Sequence, residues 1–200
     1  KVKLVKLLLK QATFDPQTSE LETTDFLGNT PLMTSAVHGY LDIMELLLEL
    51  GAKVESRNRW KETALILAAS KGFRKIISLL IQSGADFRAE DVNEKTALLR
   101  AAQNGHLSVV EMLLAKGANL HVNTFDLSGK GGTALIQAAR NGHTKVLPAL
   151  LNAGAKIDET EMMFHHSALM VAALNGHEKS VEFLLDAGAN STLRNTSNRP

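Results

Sequence analysis

Three histidines, His106, His143 and His177, each directly follow a glycine, and histidine is the side chain whose ordinary pKa lies closest to neutrality, so each is a candidate proton carrier or metal ligand. Their slot is filled by Tyr40 and Phe73 in equivalent stretches of the chain, where neither ring can do an imidazole's chemistry, so the recurrence points to structure. His165 and His166 with His121 form a second candidate cluster, for a metal, but the carboxylate partners and ligand spacings of zinc patterns are missing. The stretch SGKGGT, Ser128 to Thr133, has the glycines and lysine of a phosphate-cradling loop. A P-loop needs a leading glycine five places before its Gly-Lys and a serine or threonine directly after the lysine, and both are absent. No serine or threonine stands with a base and an orienting acid in a recognisable motif. The expectation is therefore no catalytic residue, no metal and no cofactor.

The elements that carry these residues emerge from the glycines. Gly39, Gly72, Gly105, Gly142 and Gly176 are spaced 33, 33, 37 and 34 residues apart, and Gly51, Gly84, Gly117, Gly154 and Gly188 repeat the same intervals. A period near 33 describes an array of supersecondary units. Each unit opens with a short helical pattern headed by Thr30, Thr63, Thr96, Thr133 or Ser167, the residue types that cap helix starts. Ala36, Ala69, Ala102, Ala139 and Ala173 are small enough for backbones to approach, and Leu32, Leu65, Leu98, Leu135 and Leu169 fill the space between. A second helix follows with paired leucines, Leu47-Leu48, Leu79-Leu80, Leu113-Leu114, Leu150-Leu151 and Leu184-Leu185, behind apolar residues such as Ile43, Ile76, Val109, Val146 and Val181. Together they make one buried stripe per helix.

Composition sets outer bounds. Of 200 residues, 22 are basic and 21 acidic, so charge favours neither nucleic acid nor a membrane surface. There is no cysteine, which excludes disulfides and fits a reducing, intracellular and cytoplasmic setting. No apolar run approaches the ~18 residues of a membrane span. The first residue is Lys1 and KVKLVKLLLKQ is already in helical period, so the chain reads as a piece of a longer protein.

Phrases such as TALLRAAQNGHLSVVEMLLAKGAN, recurring in five copies, resemble the ankyrin repeat family. The resemblance covers nearly the whole chain: repeats over 25–57, 58–90, 91–123, 124–158 and 159–195, a partial repeat with a long connector over 1–24, and the start of another over 196–200. It implies an all-α solenoid of stacked antiparallel helix pairs with hairpin or turn fingers projecting to one side. Two departures matter. The histidine of the family's TPLH motif is replaced by Met33, Ile66, Leu99, Ile136 and Met170, which implies apolar packing there. Pro148 falls inside a second helix, where a kink or a missing backbone bond is expected. The connectors near 16–24 and 124–132 carry extra residues.

The fingers so placed hold Phe26, Leu27, Trp60, Val92, Phe125, Leu127, Met163 and Phe164. Arg59, Lys61, Glu62, Asn93 and Lys95 ring them, with Asn29, Asp126 and His166 alongside. Aromatic anchors ringed by charge have the composition of binding hot spots. The resemblance adds the two residues before each inner-helix glycine: Val37 and His38, Ser70 and Lys71, Gln103 and Asn104, Arg140 and Asn141, Leu174 and Asn175. The expected function is a monomeric, non-enzymatic module that binds a protein or peptide partner through its concave face and fingers. The alternative is the substrate-targeting arm of a larger multidomain enzyme, such as a bacterial effector acting in a eukaryotic host. A plain spacer would have polar fingers.

Overall fold

The computed structural model describes residues 19–124 and 131–196. The helix expected at the N-terminus, the residues Phe125, Asp126 and Leu127, and the start of a further repeat at 197–200 lie outside the described residues. A 3-10 turn, Ser19–Glu22, leads into α1 (Pro31–His38), α2 (Leu41–Glu49), α3 (Ala64–Lys71), α4 (Arg74–Gln82), α5 (Ala97–Gln103) and α6 (Leu107–Ala115). Then follow α7 (Ala134–Arg140), a 3-10 turn Thr144–Val146, α8 (Leu147–Asn152), α9 (Ala168–Leu174) and α10 (Glu178–Asp186). Odd-numbered helices pack side by side as an inner layer and even-numbered helices form the outer one, giving the expected all-α solenoid.

Each inner helix begins where the cap residues predict. The hydroxyls of Thr30, Thr63, Thr96, Thr133 and Ser167 accept the backbone N–H three residues on, at 3.4, 3.4, 3.3, 3.5 and 3.4 Å. Such long bonds sit at the weak end of capping, about 0.5 kcal/mol each, so packing does most of the stabilising. Ala36, Ala69, Ala102 and Ala139 are completely buried between neighbouring inner helices. Met33, Ile66, Leu99, Ile136 and Met170 are buried as well, so apolar packing fills the place of the motif's histidine.

Two details of the outer layer differ from the sequence reading. In α4 the residue matching the first leucine of each pair is Leu80, fully buried, with Ile81 beside it, because the pair Leu79-Leu80 is displaced by one position. In α10 the position that Ile76, Val109 and Val146 occupy in the other units belongs to buried Ser180, whose hydroxyl meets that of Thr144 at 2.7 Å. Pro148 has no N–H to give to the Thr144 carbonyl. Leu147 donates to Thr144 instead, the first turn tightens to 3-10, and α8 starts late, with Pro148 in its first turn where the missing donor is tolerated.

The recurring histidines make the joints between units. The ring of His143 lies over Gly105 of the preceding unit and its Nε2–H donates to the Gln103 carbonyl at 2.9 Å. His106 does the same over Gly72 to Ser70 at 3.1 Å, and His177 over Gly142 to Arg140 at 2.9 Å. A carbonyl partner requires Nε2 to carry the proton, so these are structural imidazoles. Phe73 covers Gly39 with its ring alone.

Gly105 and Gly176 provide a matched pair of tests, because both are left-handed, at φ 74° and 70°. A Cβ on Gly105 would sit 2.5 Å from His143 Nδ1, whereas one on Gly176 meets nothing within 4 Å. Both alanine variants should carry the same backbone strain, about 1 kcal/mol. Gly105→Ala should lose about 1–3 kcal/mol more through the displaced ring and its hydrogen bond, seen as a clearly lower melting temperature in thermal denaturation.

Candidate protein-binding surface

Four of the five fingers are built around one acceptor side chain that the sequence reading did not single out. The Asp25 Oδ1 accepts the N–H groups of Leu27 and Asn29, both at 2.8 Å. Asn58 Oδ1 takes those of Trp60 and Glu62 at 3.0 and 2.9 Å, and Asp91 Oδ1 those of Asn93 and Lys95 at 2.7 and 3.1 Å. In the last finger the longer side chain of buried Glu161 takes three, from Met163, Phe164 and His166. Thr124 stands at this place in the fourth finger and pairs with Gly132 across an antiparallel bridge. These loops close through turns and isolated bridges, with no strand among the described residues.

The turn ends in a left-handed residue, which is Gly28 in the first finger but Lys61, Glu94 and His165 elsewhere, at φ 57°, 60° and 56°. A side chain in this conformation costs about 1 kcal/mol. The acceptor side chain and the packing of neighbouring fingers hold it there.

Fingers are also joined to one another. Arg59 N–H donates to the Leu27 carbonyl at 3.2 Å and Val92 N–H to the Trp60 carbonyl at 2.9 Å. Below this edge, Asn58 Nδ2 donates to Asn29 Oδ1 at 3.0 Å and to Glu62 Oε2 at 2.9 Å. Arg100 ties Glu62 to buried Asp91. Polar side chains from three units thus form one connected network beneath the fingertips.

The structure sorts the residues read as contacts. Phe26 is 76% exposed, Trp60 44% and Val92 48%, and they lie on adjoining, bonded fingers. Arg59, Lys61 and Asn93 are exposed beside them. Asn29 and Lys95 are corrections: both are buried, Asn29 within the network just described and Lys95 with its ammonium 3.5 Å from Gln103 Oε1. Glu62 is held by Asn58 and Arg100, and Leu27 is half-buried. In the last finger Phe164 is exposed, but Met162 rather than Met163 is the exposed methionine, since Met163 turns inward. His166 is a tie within the array: its Nδ1 faces Glu161 at 3.4 Å and its Nε2 faces Asn195 Nδ2 at 3.2 Å. His121 and His165 lie exposed, and no cluster of metal-binding side chains gathers among the described residues.

At the ends of the inner helices, Asn104, Asn141 and Asn175 each donate to the carbonyl four residues earlier, at 2.8, 2.9 and 2.7 Å. Ser70 donates to Leu67, and His38 Nδ1 meets the Thr34 carbonyl while its ring stacks on Tyr40. These side chains finish their own helices, which explains why asparagine precedes the glycine in three units. Val37 and Gln103 are half-buried, and Arg140 donates to the Gly131 carbonyl at 3.2 Å. Lys71 and Leu174 are exposed.

Comparison with known proteins agrees with the architecture. A family model described as ankyrin repeats, in three copies, matches residues 1–58, 51–126 and 120–195. A stretch of 39 residues is 44% identical to serine/threonine-protein kinase VIK of Arabidopsis thaliana, covering 20% of this chain and 9% of that protein.

Asp25 offers a titration test of the finger design. The backbone N–H of Asn29, with smaller help from the Asn29 side chain and the N–H groups of Leu27 and Gly28, holds its carboxyl below the ordinary 3.8. A depressed folded pKa means the finger's extra stability is full above pH 3.8 and is lost as pH falls through the lower folded value. The amide proton shifts of Leu27 and Asn29 should therefore titrate together with a midpoint below 3.8, measured by NMR, and should not titrate in Asp25→Asn.

Proposed function

The chain belongs to the ankyrin repeat family, whose arrays are general protein-interaction modules, and from that premise we propose that this array grips a protein or peptide segment along its fingertips and catalyses no reaction itself. The observation that carries the reading is the edge formed by Phe26, Trp60 and Val92. Three exposed apolar side chains stand on backbone that hydrogen bonds and a buried polar network hold fixed. Large apolar side chains held rigidly in water lose little conformational entropy when a partner covers them, which is what makes a binding anchor efficient. Arg59 and Lys61 flank Trp60 and Lys71 faces solvent at the end of α3, and none of the three is in an ion pair among the described residues. They suit a partner that brings carboxylates beside its apolar anchor.

A second reading, the targeting arm of a larger multidomain enzyme, is favoured by the 39-residue likeness to a serine/threonine-protein kinase. Under it the fingertips choose the substrate and other parts of the polypeptide act on it. Both readings need the same edge, and they part on whether a captured partner is chemically modified by the complete polypeptide.

Peptides selected on the array from a displayed random library should favour acidic residues around an aromatic or aliphatic anchor. They should bind the Phe26→Ala, Trp60→Ala variant at least tenfold more weakly, since an exposed hot-spot ring is worth about 1–2 kcal/mol. The melting temperature should stay within about 2 °C of wild type, as neither ring belongs to the core. Undiminished binding, or an equal loss of stability, would return both rings to a packing role.

A further inference from the structure

The turns that follow the outer helices stack on one another, and at three joints a carboxylate ties one turn to the next. Glu22 accepts the N–H of Lys53 at 2.8 Å, Glu55 that of Asp86 at 3.0 Å and Asp158 that of Asn190 at 2.9 Å. At the two joints between, the carboxylate is gone. Arg88 stands 33 residues after Glu55 and His121 33 residues after Arg88, so they hold the places from which a carboxylate would reach Asn119 and Lys156. A guanidinium has no acceptor atom. Among the described residues no protein group accepts the N–H of Asn119 or of Lys156.

The turns at these two joints are otherwise like the rest. Asn119 accepts the N–H two residues on, from His121 at 3.0 Å, as Asp86 does from Arg88 and Asn190 from Thr192, both at 2.9 Å. Register is kept as well: Arg57 donates to the Glu90 carbonyl at 2.9 Å, and Asn123, two repeats on, to the Thr160 carbonyl at 3.0 Å. The charge around the two N–H groups is positive. The Arg88 guanidinium rests over the Phe87 ring, Lys116 closes α6, and both lysines, Lys116 and Lys156, are exposed. None of these three cations is in an ion pair among the described residues. Asp86 and Asp158, acids of the flanking turns, are engaged with backbone N–H groups.

We infer that the turns at Asn119 and Lys156 bind an acidic segment of a partner protein, whose carboxylates take the two places that Glu55 and Asp158 fill from within the array. The other joints state the ligand's chemistry, a carboxylate oxygen about 3 Å from a turn N–H. Packed helices lie about 8–10 Å apart, so the segment brings two Asp or Glu side chains at roughly that spacing. A lone small anion reaches one of these N–H groups but not both. An ionised acceptor makes a bond about twice as strong as a neutral one, and Arg88, Lys116 and Lys156 supply the charge that draws it in. This inference does not rest on the fingertip reading, whose cations are Arg59, Lys61 and Lys71.

The test is NMR of the full chain with an octaglutamate peptide as the probe. The peptide should shift the amide signals of Asn119 and Lys156 and leave those of Lys53, Asp86 and Asn190, whose N–H groups are already taken. Arg88→Glu restores the carboxylate of the other joints. It should slow Asn119 amide exchange roughly fivefold in the free protein and weaken the peptide about tenfold. Arg88→Met, which has neither charge nor carboxylate, should weaken the peptide but leave that exchange rate unchanged. The fingertip variant Arg59→Gln, Lys61→Gln should bind the peptide at these turns as wild type does. Unshifted Asn119 and Lys156 signals, or Asn119 exchange unaltered by Arg88→Glu, would overturn the inference. So would shifts that vanish in the fingertip variant, or the same shifts at both turns from inorganic phosphate at equal charge, which would make the surface a general anion binder.

Discussion

The array is held together by a small contact made again at each joint: a flat ring from one unit resting on the bare backbone of a glycine in the unit before it. Glycine is required twice over there, by its left-handed backbone and by the ring that occupies the space a Cβ would take. An imidazole adds a hydrogen bond to a carbonyl at a helix end that would otherwise lack an intrahelical donor. The phenyl ring of Phe73 makes the cover without the bond, so at the first joint the ring contributes packing alone. Because each contact involves only neighbouring units, stability in this molecule is a chain of local terms, and a joint can be weak without its neighbours being so.

The joint between the fourth and fifth units shows the consequence. Pro148 delays the start of α8, Ser180 brings a hydroxyl where the other units bring Ile43, Ile76, Val109 and Val146 and meets that of Thr144, and α10 meets the fourth unit's outer layer at the 3-10 turn. A hydroxyl pair satisfies its own hydrogen bonds but contributes little of the apolar burial that Ile76 or Val109 supplies at the same position. The His177 ring is retained there, so the inner layer stays closed while the outer one is thinned.

What was legible in the sequence was whatever repeats with the period. Helix starts, the glycine stops, the buried alanine ladder and the structural character of the histidines all follow from residue type at fixed spacing. The fingers were harder to read because their key residue changes identity. Asp25, Asn58, Asp91 and Glu161 share only a side-chain oxygen able to accept backbone N–H groups, and the left-handed position after them is glycine in one finger and lysine, glutamate or histidine in others. For the same reason Lys95 and Asn29 looked like surface charge and polarity while their atoms serve the network beneath. Met162 and Met163 are indistinguishable in sequence, and only the longer turn around Glu161 decides which of them faces water.

The polar network beneath the fingertips has a bearing on recognition. A solenoid contacts a partner with loops, and loops ordinarily pay for binding by becoming ordered. Here the loops are ordered beforehand: acceptor side chains fix each turn, backbone bonds join Leu27 to Arg59 and Trp60 to Val92, and Arg100 links Asp91 to the neighbouring finger through Glu62. The spacing of the exposed anchors is consequently set by the stacking of the helices below them. A change in a joint glycine would alter that spacing, so under the proposed fingertip reading the residues that hold the units in register also set which partner can reach all the anchors at once.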